Sequence, residues 1–215
     1  MSNHQISITP QVVEDIGVAK SRNLWALACG LKRLSELGLD SQFSMQLYHD
    51  QADEGFAYLP PPCGSMRCAV GWAPALGIGG REAVNLWEMK TRRWIRAHTY
   101  YDEFSSMFLV DFYAVANAWS WMFSSDWSEV DNTLMGAADR IAFALCQVNS
   151  LVWETNDLTF ACQEKRRKAQ YLPGSEFTEW RKQFSWDVVP DIPGAVEAAA
   201  SAVKEAENIA RRHNE

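Results

Sequence analysis

The sequence predicts a mainly α protein with a single globular helical domain, and three observations carry that prediction. Apolar residues recur at spacings of three and four, first at Leu24, Leu27, Ala28, Leu31, Leu34 and Leu37, and again at Leu134, Ala137, Ala138, Ile141, Leu145 and Val148. Residues that start and stop helices flank these stretches, with Gly38 closing the first and Asp131 or Asn132 opening the second. The chain of 215 residues is 47% hydrophobic and 22% charged, enough apolar material for one sizeable core and too much for wholesale disorder. A small β element is expected only near residues 41–63, where Phe43, Met45 and Leu47 alternate with polar neighbours.

Taken in order, residues 1–8 are polar, and Thr9-Pro10 has the form of a helix cap followed by a first-turn proline. A second helix is expected from about Ser21 to Gly38, with Cys29 inside it as a small core residue. An acidic loop, Asp50 to Gly55, precedes three prolines and the segment Cys63-Gly64-Ser65-Met66-Arg67-Cys68-Ala69-Val70-Gly71-Trp72-Ala73. That segment reads as an extended lead-in, a tight turn and a short helix with a thiol at its mouth. Residues 104–123 are strongly apolar and aromatic, and a helix from about Asp131 to Val148 follows. Pro190 and Pro193 mark the last boundary. The expected organisation is therefore a mostly helical domain over 1–190 and an amphipathic C-terminal helix over 191–215. Its Val196, Ala199, Val203, Ala206 and Ile209 draw a narrow stripe, and it either docks on the domain or serves as a partner-binding arm. The core is expected to include Leu27, Leu31, Phe108, Phe112, Trp119, Ile141 and Leu145.

Composition narrows the functional classes. A net charge of −7 argues against broad, non-specific attraction to nucleic acid, so any phosphate contact would need a local patch. Five cysteines in no regular framework, with no apolar signal core at the N-terminus, point to a reduced, cytoplasmic protein. No run reaches the roughly 18 apolar residues of a membrane span, so no membrane partner is expected.

Three candidate sites compete. Cys63 and Cys68 could form a thiol site, because a helix N-terminus and Arg67 favour a thiolate. Four intervening residues differ from the two of redox motifs, so the favoured reading of Cys63, Gly64, Cys68, Gly71 and Trp72 is a structural motif, a turn stapled by small buried side chains. With His49 the cysteines supply three soft ligands where a closed zinc site takes four, so no metal and no cofactor are expected. The segment 87–101 interleaves Trp87 and Trp94 with Arg92, Arg93 and Arg96, which suits base stacking and phosphate contact or, more ordinarily, a solvated basic helix face. A second basic run spans Lys165 to Lys168. Ten tryptophans exceed what packing needs, and those in polar or basic surroundings, namely Trp87, Trp94, Trp180 and Trp186, read as exposed interface anchors.

One resemblance can be attached to these residues. Cys63-Gly64-Ser65, two residues, then Cys68-Ala69-Val70-Gly71-Trp72-Ala73 resembles a Cys-Gly-Thr, two residues, Cys-Ala-x-Gly-x-Ala signature of small uncharacterised proteins from tailed phages, prophages and their hosts. Phe43-Ser44-Met45, the aromatic stretch 119–124 and Ala137-Ala138-Asp139-Arg140-Ile141 resemble further segments of that group, so the likeness covers about residues 43–146. Ser65 departs from its usual Thr. The resemblance implies a mobile-element origin and no particular activity. The leading expectation is a non-enzymatic interaction protein that binds a host or phage protein. The alternatives are a nucleic-acid binder using 87–101 and a thiol-dependent enzyme at Cys63 and Cys68.

Overall fold

A computed structural model describes residues 17–43, 69–73, 75–78, 122–123, 131–152, 176–188 and 190–214. Among these residues the architecture is helical, with no strand. Helix α1 spans Val18–Glu36, α2 Ala69–Trp72, α3 Leu134–Val152, α4 Glu176–Gln183 and α5 Ala195–His213, and a short 3-10 turn covers Asp40–Gln42. Of the β element expected near 41–63, the described part is that turn and an extended Phe43. The expected core residues Phe108, Phe112 and Trp119 and the Thr9-Pro10 start lie outside the described residues. Leu27, Leu31, Ile141 and Leu145 are fully buried, as their spacing predicts.

α1 begins three residues before the expected Ser21, and Ser21 is itself buried on the inward face beside Leu24. The helix stops as Gly38 predicts. Gly38 adopts φ 81°, its N–H donates to the Ser35 carbonyl at 2.9 Å, and the Leu39 N–H donates to the Leu34 carbonyl at 3.1 Å. These two bonds satisfy carbonyls that the helix end would leave unpaired, in a conformation that costs a glycine little. The chain then turns through Asp40, whose carboxylate ties two helix ends together. It accepts from the Ser35 hydroxyl at 2.9 Å and from the Leu134 N–H, in the first turn of α3, at 2.8 Å.

The cap of α3 is Thr133, not Asp131 or Asn132. The Thr133 hydroxyl oxygen accepts from the Gly136 N–H at 2.9 Å while its carbonyl takes the first helical bond from Ala137. Asp131 is drawn elsewhere, accepting from the Thr133 hydroxyl at 2.7 Å and pairing with Arg181.

Three long-range contacts give the helix directions. Arg22 lies against Gly194, Arg33 pairs with Glu207 at 2.7 Å, and Gln42 meets His213 at 2.9 Å, so α1 and α5 run parallel along their whole length. α3 starts where α1 finishes and runs back antiparallel to it. α5 is therefore docked on the core. Its buried stripe is Ala195, Ala202, Ala206, Ile209 and Ala210. The expected phase was off by part of a turn: Ala206 and Ile209 are buried, but Val196 is 51% exposed. Small residues on this stripe suit close packing of α5 along α1. Close approach recurs at Gly30, where a Cβ would sit 2.7 Å from the Leu76 side chain that follows α2.

Candidate functional site

The described part of the cysteine segment is its C-terminal half. Ala69, Trp72 and Ala73 are fully buried and Gly71 is buried with them, so this half packs into the core as a short helix. Cys63, Gly64 and Cys68 lie outside the described residues, as do Trp87, Arg92, Arg93, Trp94 and Arg96.

Trp180 and Trp186 are described, and they correct an expectation. Trp180 is 4% exposed, a core residue instead of a surface anchor. The reason is helical phase: Phe177, Trp180 and Phe184 recur at three and four residues on one face of α4, while Glu179, Arg181 and Lys182 take the other faces. Phe177 and Trp180 meet Phe143 of α3 edge-on at 5.1 and 5.2 Å between ring centroids. Phe184 stacks on Trp180 at 4.3 Å and touches Trp186 at 5.2 Å. Trp186 is half-buried and stacks on Trp25 of α1 at 5.8 Å, with the Lys32 ammonium over its ring. A continuous chain of rings thus joins α3, α4 and α1.

Beside these rings lies a cluster of charge. Arg181 of α4 donates to two carboxylates at once, to Asp131 at 2.8 Å and to Asp139 at 2.6 Å. The Arg140 side chain, fully buried, donates to the Asp131 carbonyl at 3.2 Å. Asp139 is 5% exposed. Burial raises its pKa above the ordinary carboxylate value, and Asp131 adds to the rise. Arg181 opposes both through its charge and hydrogen bond, and the Trp186 indole N–H opposes them more weakly. The Phe143–Phe177 and Asp139–Arg181 contacts set α4 antiparallel on α3. The sequence held a signal for the cluster that periodicity alone passes over: Asp139 and Arg140 sit inside the apolar α3 stripe, between Ala138 and Ile141.

The two described cysteines are poor nucleophiles. Burial pushes the Cys29 thiol up to about 12, with Lys32 pulling weakly the other way, and burial likewise pushes Cys146 up to about 12. No group of three or more potential metal ligands occurs among the described residues. Nor is any helix among them long and apolar enough to cross a membrane. Comparison with known protein families, curated proteins and solved structures finds no match to this chain.

Proposed function

We propose that the protein is a non-enzymatic interaction protein that binds a host or phage protein partner through the segment bearing Trp87, Arg92, Arg93, Trp94 and Arg96. One observation supports the reading above others. Trp25, Trp72 and Trp180 are buried and Trp186 is half-buried, so packing accounts for these four of the ten tryptophans. Trp94 differs from them in setting, flanked by Arg92, Arg93 and Arg96, and Trp87 stands five residues before that basic run. Trp and Arg are the side chains that most often anchor protein interfaces. The resemblance of residues 43–146 to phage and prophage proteins directs the search for the partner toward host and phage proteins.

The test is affinity capture from host or infected cells, with wild type and Trp87→Ala/Trp94→Ala side by side. A specific partner held by wild type and lost from the double variant, with thermal unfolding unchanged, is the expected result. Unfolding of the double variant at markedly lower temperature would make these two tryptophans core residues and remove the proposal's support.

The basic residues of the same segment favour a second reading, nucleic-acid binding with help from Lys165 to Lys168. It separates cleanly, because phosphate contacts release counterions and give affinity that falls steeply with salt.

A further inference from the structure

We propose that proton binding at Asp139 is coupled to the seating of α4 and the Trp186 turn on α3. With α4 in place, Asp139 is sealed between its own helix and the residues that α4 brings. Among the described residues, the groups that face it are few. Arg181 comes from α4, Asp131 from the segment before α3, the Trp186 indole from the turn after α4, and Arg140 is its neighbour on α3. From α1, Lys32 lies over the Trp186 ring and pairs with Glu36.

Arg181 is a weak counterweight for two reasons. It divides itself between two carboxylates, and its side chain is 38% exposed, so water screens it. The cost of taking the Asp139 charge out of water then prevails, and the seated state holds a proton more tightly than a solvated carboxyl does. Lifting α4 would carry Arg181 and the Trp186 turn away and return Asp139 to water. The sign follows from linkage. A carboxyl whose pKa is higher in the seated state favours seating fully below its ordinary pKa, and this contribution fades as pH rises through the raised value. Acidification from neutrality therefore tightens α4, the reverse of what an ordinary exposed salt bridge would do.

Hydrogen exchange of the α4 amides tests this, in particular the Phe184 N–H that donates to the Trp180 carbonyl. Exchange of the intact protein is followed from about pH 7.5 to about pH 4.5 and corrected for intrinsic rates, in wild type and in Asp139→Asn. Wild-type protection should rise on acidification, about tenfold for each unit separating the seated and solvated pKa values. Protection in Asp139→Asn should be high and flat with pH. Wild-type protection that stays constant or falls, or the same slope in both proteins, would overturn the coupling. If Asp139→Asn does not fold, the carbon-13 titration of the Asp139 carboxyl in wild type decides. A midpoint above the ordinary carboxylate range sustains the proposal and one at or below it refutes it.

Discussion

Two seams between helices are built on opposite packing economies. Along α1 lies the buried stripe of α5, which is small-sided, with Ala195, Ala202, Ala206 and Ala210. Between α3 and α4 the contacts are large rings, Phe143 on Phe177 and Trp180, with an ionic clasp beside them, and Trp186 carries the rings on to Trp25 of α1. A small-residue seam brings backbones together and leaves no spare volume, so it is sensitive to added atoms. A wall of rings carries most of its stabilisation in a few side chains, so it is sensitive to removed ones.

The comparison is sharpened by variants of each side. Trp180→Ala should be the most damaging, costing about 3–5 kcal/mol in urea-induced unfolding, because a buried ring packed against Phe143, Phe177 and Phe184 leaves a cavity. A loss under about 1 kcal/mol would mean that the ring chain is not a core. On the other side, Ala206→Leu should cost about 1–3 kcal/mol by overpacking, although it enlarges an apolar side chain. If that variant were more stable than wild type, the close approach of α5 to α1 would be wrong. Thr133→Ala removes the cap of α3 and should cost about 1 kcal/mol, whereas Asn132→Ala should cost less. The smallest effect belongs to Val196→Ala, within about 0.5 kcal/mol, since Val196 is half exposed on the outer flank of α5.

The sequence is most legible where a strong period meets a clear stop. Leu24, Leu27, Ala28, Leu31 and Leu34 of the first stripe and Leu134, Ala137, Ala138, Ile141 and Leu145 of the second are buried as spacing selects, while Leu37 is only partly so, and the end of α1 follows from Gly38 because only a residue at ease with positive φ closes the helix there. Legibility fails where the residue type carries little phase information. Alanine is common on every face of α5, so the eye follows Val196 and Val203, whereas the buried stripe runs through Ala195, Ala202 and Ala210. Trp180 misleads in another way. Its immediate neighbours are charged, yet Phe177 and Phe184 at helical spacing were the better guide. The cap of α3 is ambiguous because Asp131, Asn132 and Thr133 all suit it. Arg181, fifty positions away, decides by claiming Asp131, and no local pattern announces a pairing of that range. Of the candidate site, the buried Gly71 and Trp72 favour the packing interpretation of the cysteine segment over a reactive one for the half that is described.

The central claim divides the tryptophans into those that build the core and those that meet a partner. Fluorine NMR of the protein labelled with 5-fluorotryptophan, with each resonance assigned by substitution and a soluble paramagnetic agent added, tests that division directly. The account predicts that Trp25, Trp72 and Trp180 stay sharp while Trp87 and Trp94 broaden, and that the captured partner protects the latter two. Broadening of Trp180, or Trp87 and Trp94 as sharp as Trp72 in the free protein, would contradict it.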